Sequence, residues 1–255
     1  MQTFINAARG VDLAAYRRGQ TPADLTIGDH GALSVTWAPF DFINRSAELV
    51  LVGMTPGRTQ AANAIEALQQ ALAAGKTQNE ALEIAKSTAS FSGAMRGSLV
   101  AMLDAVGVPA LFGRTTAQEF FAPGGGLVHF TSALRYPVYL ANGDNYSGAP
   151  GPLGHPVLRT MIETHLAEEA AALPKAVWVP LGKDAAASLQ HLVGRGALDG
   201  RRVLSGLPHP SGANSERIAY FLGRKSRDQL SNRTKADRID DARERLRLQV
   251  DALAA

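Results

Sequence analysis

The chain has 255 residues, 45% hydrophobic and 19% charged, with a formal net charge of +3 and no cysteine. This is the make-up of an ordinary globular protein, and the missing cysteine excludes disulfides, a thiolate nucleophile, Cys-ligated zinc and iron–sulfur clusters within the chain. The opening "MQTFINAARGVDLAAYRRG" lacks the unbroken apolar core of a signal peptide, and no apolar run reaches the roughly 18 residues of a membrane span; a soluble, cytoplasmic protein without membrane contact is expected.

The first forty residues are mixed and loop-rich, and read as an N-terminal helix and extension wrapping a sheet. "ELVLVGM" from Glu48 is the first of four short apolar runs bounded by turn residues, the pattern of buried parallel strands; the others are "LVHFTSAL" from Leu127, "AVWVPLG" from Ala176 and "RVLSGLPHP" from Arg202. Between them lie helical patterns: "AANAIEALQQALAAG", "NEALEIAKSTAS", "GSLVAMLDAVG", "PVLRTMIETHLAEEAAAL" and "KDAAASLQHLVG". Strands alternating with helices require right-handed crossovers. The expected fold class is therefore α/β: a single three-layer doubly wound domain over 1–255 around a central four-stranded parallel sheet. The loop "RYPVYLANGDNYSGAPGPLGHP" is long for such a fold and rich in Gly, Pro and Asn, as functional or disordered loops are. The last forty residues are helical by the apolar spacing of "RIDDARERLRLQVDALAA".

In a parallel sheet the loops after the strands carry the chemistry. That directs attention to Thr55, Ser132, Arg135, Gly182 and His209. Thr55 lies in "GMTPG", where two glycines and a proline bracket one hydroxyl. His209 stands between prolines, and Ser211, Gly212 and Asn214 follow as a polar loop able to offer N–H groups to an anion. His155 and His191 read as surface or hydrogen-bonded residues, and no His or carboxylate cluster has metal-ligand spacing. Beyond the loop, Arg217, Arg224 and Lys225 open a basic stretch running to Arg238. Two readings stay open for it: a solvated helix face or a surface for phosphates.

Taken in order, these segments resemble the uracil-DNA glycosylase superfamily. "GMTPG" is similar to its first motif, Gly-x-(Asp/Asn/Ala)-Pro-(Tyr/Gly), and "HPSGANS" contains its His-Pro-Ser. "SFSGAMRGSLVAMLDAVGV", "HFTSALRYPV" and "VPLGKDAAASL" resemble the segments between them. The resemblance runs from about Glu48 to Ser215, interrupted by an apparent helical insertion at about 59–90; a basic helical region of about 216–255 follows. It implies a monofunctional glycosylase that flips a pyrimidine out of DNA, needs no cofactor or metal, and works as a monomer. It implies that His209 donates to the base oxygen, that the Met54 backbone hydrogen-bonds the base, and that Phe91 stacks on it, although Phe91 as plain core is also open. Ser211, Gly212, Asn214, Arg217, Arg224 and Lys225 are then the DNA contacts.

Three positions depart from the pattern. Thr55 stands where active relatives often carry Asp or Asn; a hydroxyl can hold water but brings no charge. Gln60 is a candidate for orienting that water, or simply a helix-entry residue. Ser132 replaces the pyrimidine-reading Asn and cannot make its bidentate contact. Gly57 replaces the Tyr that blocks substituents at the base's 5-position. The resulting expectation is a roomier pocket that accepts uracil or, preferentially, another or 5-modified base, in repair or in defence against modified foreign DNA. The alternatives are a non-catalytic nucleic-acid-binding relative, motivated by Thr55, and a nucleotide enzyme using "GAPGPLG". The latter motif lacks the Lys-Ser/Thr of a phosphate-binding loop.

Overall fold

A computed structural model describes residues 1–90, 94–122 and 126–254. The chain forms two compact units, one of residues 1–44, 53–90 and 130–172, the other of 45–52, 91–129 and 173–255.

The first unit opens with α1 (Gln2–Arg9) and α2 (Leu13–Arg17), the latter capped by Asp12, which accepts from the Ala14 and Ala15 N–H groups. In place of a loop-rich extension, the next residues form an antiparallel hairpin of β1 (Thr26–His30) and β2 (Leu33–Thr36). The hairpin turns at Gly31, whose φ of +66° suits glycine. Its second strand also pairs with β5 (Val138–Leu140), drawn from the long Gly/Pro-rich loop, giving the order β1-β2-β5. The segment expected as a helical insertion is the pair α3 (Arg58–Ala73) and α4 (Gln78–Ala89). Ala61, Ala64 and Ala71 on one helix and Ala81, Ala85 and Ala89 on the other are buried. Methyl-sized side chains at helical spacing let two backbones approach closely. The unit ends with α6 (Pro156–Met161), which passes through one π turn (Ile162–Leu166) into α7 (Ala167–Ala172).

The second sheet is parallel. β3 (Leu49–Gly53) pairs with β6 (Val177–Pro180) from Leu49–Val177 to Val52–Pro180, and β4 (Val128–Ser132) completes the order β4-β3-β6. Every residue of β3 and β6 is buried, as expected of parallel strands covered on both faces. The helices of the second unit are α5 (Ala94–Ala105), α8 (Lys183–Gly194), α9 (Ser215–Phe221) and α10 (Ala236–Ala254).

The protein is therefore α/β with a parallel sheet, but that sheet has three strands among the described residues, where four were expected. The run from Arg202 forms only a parallel bridge, Val203 to Trp178, with Leu204 N–H donating to the Trp178 carbonyl at 2.8 Å. The cause is local. Pro208 and Pro210 have no N–H to give a ladder, and Gly206 turns to φ +139°, where an added Cβ would lie 3.0 Å from the Ala242 side chain. α10 packs directly on that glycine and ends the strand.

Candidate functional site

In the first unit the turn after β3 is stitched to the chain after β4: Gly53 and Met54 carbonyls accept from the Ala133 and Leu134 N–H groups at 2.8 and 2.9 Å. With its carbonyl engaged, Met54 can offer a ligand its N–H. The half-buried Thr55 donates its hydroxyl proton to the Tyr136 carbonyl at 3.2 Å. Its remaining lone pairs can only accept, which suits a water molecule held as a donor toward Thr55. Ser132 lies on the half-buried face of β4 with Val128 and Phe130, while His129 and Thr131 face the core.

Gln60 sits at the third position of α3 and reaches back, its Oε1 accepting from the Gly57 N–H at 2.6 Å. That is the helix-entry role. Its Nε2 donates to nothing among the described residues. Asn145, from the long loop, accepts from the Arg58 N–H at 2.8 Å, satisfying another open donor of the helix start. Gly57 has an extended backbone (φ −82°, ψ 171°) that any residue adopts; what limits it is space, since a Cβ would lie 3.1 Å from Gln60 Oε1.

Behind this turn lies a buried charge cluster. Glu169 Oε1 receives Arg135 Nε and Nη2 at 3.1 and 3.0 Å and faces the Lys86 ammonium at 3.6 Å. Arg135 Nη1 also pairs with Glu168 at 3.0 Å, and Nη2 donates to the His165 carbonyl in the π turn. Lys86 donates to the Phe42 carbonyl at 2.7 Å. Burial pushes the Lys86 ammonium down to about 8, only partly offset by Glu169. For Arg135, burial opposes the charge, but Glu169 and Glu168 outweigh it and hold the guanidinium above its usual range. Burial, then the charge of Asp41, raises the Tyr136 phenol, which donates to Asp41 Oδ1 at 2.6 Å. Asp41 and Tyr136 thus anchor the carbonyl that orients Thr55.

In the second unit the turn after β6 meets the His-Pro-Ser loop. Gly182 has φ +92° and enters α8; a Cβ there would lie 3.3 Å from His209 Cβ. The Ser211 N–H donates to His209 Nδ1 at 3.3 Å. Burial depresses the imidazole below its ordinary value and so favours the uncharged ring. With Nδ1 accepting, its single proton sits on Nε2. A relay fixes the next residue: Arg217 donates to Asn214 Oδ1 at 2.6 Å, and Asn214 Nδ2 donates to Ser211 Oγ at 3.2 Å. The Ser211 hydroxyl, already accepting, is left to donate outward.

The basic stretch is not uniform. Lys225 pairs with Glu216 at 2.7 Å, and that carboxylate also receives Ser231 and Thr234. These hydrogen bonds hold Glu216 well below the usual carboxylate range. Arg224 is exposed, and its guanidinium engages nothing among the described residues. Gly212 lies in the turn before α9. Phe91, expected to stack on a base, lies outside the described residues. In the largely exposed "GAPGPLG" loop the Pro150 carbonyl accepts from the Tyr146 hydroxyl. Sequence reasoning missed Asp41, Tyr136, Lys86, Glu169 and Asn145, which are scattered in sequence and acquire their roles only through folding.

Among the described residues no group of three or more His, Asp or Glu could hold a metal ion, and no helix is long and apolar enough to cross a membrane. Over 216 residues the chain is 36% identical to the uncharacterized protein YoxB of Bacillus subtilis (strain 168), an alignment covering 84% of each chain. This α/β protein belongs to the family of YoxB. No model of a known protein family and no solved structure matches it.

Proposed function

We propose that this protein is a monofunctional DNA glycosylase of the uracil-DNA glycosylase type, hydrolysing the N-glycosidic bond of a flipped pyrimidine, and preferring a 5-modified or other altered base to uracil. The observation that carries this reading is the geometry of His209: a half-buried imidazole whose Nδ1 accepts from Ser211 N–H at 3.3 Å, leaving Nε2–H to donate. Glycosidic cleavage leaves negative charge on the departing base, and a fixed donor aimed at the base oxygen stabilises it. The Met54 N–H serves the same base. Thr55 holds the attacking water through its lone pairs, with its proton committed to the Tyr136 carbonyl. Phe91 stacks on the base, Ser132 reads it loosely, and Gly57 leaves its 5-position open. Ser211, Gly212, Asn214, Arg217, Arg224 and Lys225 form or support the DNA-facing loop. The protein acts as a cytoplasmic monomer on its own or foreign DNA, without cofactor or metal.

The experiment is an abasic-site assay on oligonucleotides that differ only in one base: uracil, 5-substituted uracils and 5-substituted cytosines. At least one substituted base is released as fast as uracil or faster. Release of uracil alone contradicts the open pocket. A second reading, a DNA-binding relative without catalysis, is favoured by Thr55, which carries no charge to support the sugar cation; binding without release of any base selects it.

A further inference from the structure

Beside the His-Pro-Ser loop, wholly within the second unit, lies a cleft of about 260 Å³ lined by Pro210, Ser211 and Gly212 of the loop, Met95 and Ser98 of α5, and Ser215, Ile218, Ala219 and Arg224. Its lining combines two kinds of chemistry. Met95, Ile218, Ala219 and Pro210 form an apolar wall, and a thioether is well suited to lie against a flat aromatic ring. The same lining holds the Ser211 hydroxyl, which accepts from Asn214 and keeps its own proton to donate, and Arg224. A donor hydroxyl and a cation beside an apolar slot match a phosphodiester joined to a nucleobase. The volume lies just under that of pockets holding a whole drug-sized ligand, and so suits one nucleotide.

We infer that this cleft seats the nucleobase of one neighbour of the flipped nucleotide, with the intervening phosphate at Ser211 and Arg224. The inference rests on the glycosylase reading for the identity of its ligand. A cleft of this size holds one base, so it takes either the 5′ or the 3′ neighbour and not both. The enzyme therefore has a preferred strand polarity: it senses the base on one side of its target and ignores the base on the other. The lining hydroxyls of Ser98 and Ser215 can donate to or accept from any base, so the cleft registers the presence of a base more than its identity.

The test is binding of short labelled single-stranded oligonucleotides that carry a stable abasic analogue at the target position, so that affinity is read without catalysis. In one version the 5′ neighbour also lacks its base; in another, the 3′ neighbour does. All phosphates are kept. Loss of one neighbouring base weakens binding by about fivefold or more, the lower range for one stacked base, and loss of the other has little effect. Ala219→Phe, which fills the half-exposed cleft wall, abolishes the difference between the two; Ala219→Ser keeps it. Equal effects of the two neighbours, or an asymmetry that survives Ala219→Phe, overturns the seat. Asymmetric binding with no base released from any substrate leaves the seat standing and removes the glycosylase reading. Base release without asymmetry does the reverse, and no binding of any oligonucleotide removes both.

Discussion

Glu169 is shared by two buried cations, so removing its charge is more damaging than removing Lys86. Glu169→Gln keeps the size of the side chain but leaves Arg135 and Lys86, both buried, without that anion at 3.0 and 3.6 Å. Breaking a buried pair in this way costs about 3–5 kcal/mol, with the lower end expected here because Glu168 still pairs with Arg135 at 3.0 Å; for a chain of this size that lowers Tm by roughly 10 °C. Lys86→Met has a smaller effect, because Glu169 keeps Arg135 and an ammonium that burial already disfavours is withdrawn. Its cost is the donor lost by the Phe42 carbonyl, about 1–3 kcal/mol, offset by the relieved desolvation. The net change is within about 1 kcal/mol of wild type. The lowered Lys86 value adds a signature. The unfolded chain holds more protons between about 8 and 10.5, so this group makes stability rise with pH across that window, and the rise is absent in Lys86→Met. Urea denaturation of the three proteins at pH 7 and pH 9 measures both effects. A Lys86→Met protein as unstable as Glu169→Gln would refute this account of the cluster.

Burial depresses both His165 and His209, so below pH 6.5 the unfolded chain takes up protons that the folded one resists; stability is retained above 6.5 and falls as the pH drops through the window below it. Urea midpoints at pH 7 and 5.5 show this decline, and it flattens in a His165→Gln/His209→Gln variant. Gly57→Tyr displaces the Gln60 side chain 3.1 Å away and costs about 1 kcal/mol of helix capping, the same as Gln60→Ala. Only Gly57→Tyr suppresses release of 5-substituted bases relative to uracil, as excision rates show. Arg224→Gln reduces the salt slope of DNA binding by about one unit, whereas Lys225→Gln, which breaks the pair with Glu216, lowers stability more than it changes that slope. Fluorescence anisotropy across a salt series separates the two.

What was legible in the sequence was local. The runs from Glu48 and Ala176 are apolar throughout and become buried parallel strands, and the alanine-rich stretches become α3 and α4. The run from Arg202 looked like a fourth strand because its apolar residues are real. The prolines and the turn at Gly206, pressed by α10, override that pattern. The hairpin of β1 and β2 was hidden because β1 is half-exposed and carries no apolar alternation. Of the candidate residues, Thr55 and Gly57 in the first unit and His209 in the second announced themselves through the glycines and prolines around them. Asp41, Tyr136, Lys86 and Glu169 did not, since a charged residue in a helical pattern reads as solvated until a partner distant in sequence is brought to it.

The central claim rests on His209, and single-turnover base release by His209→Ala tests it. The variant keeps the Cβ nearest Gly182 and removes the ring, which donates through Nε2 and accepts from the Ser211 N–H. On the base that wild type releases fastest, the account predicts a rate lower by about 10²–10³, the effect of losing one such donor, with the fold retained and stability lowered by only about 1 kcal/mol for the lost Ser211 hydrogen bond. A His209→Ala protein releasing that base at the wild-type rate, or a wild-type protein that binds the oligonucleotides and releases no base, would contradict it.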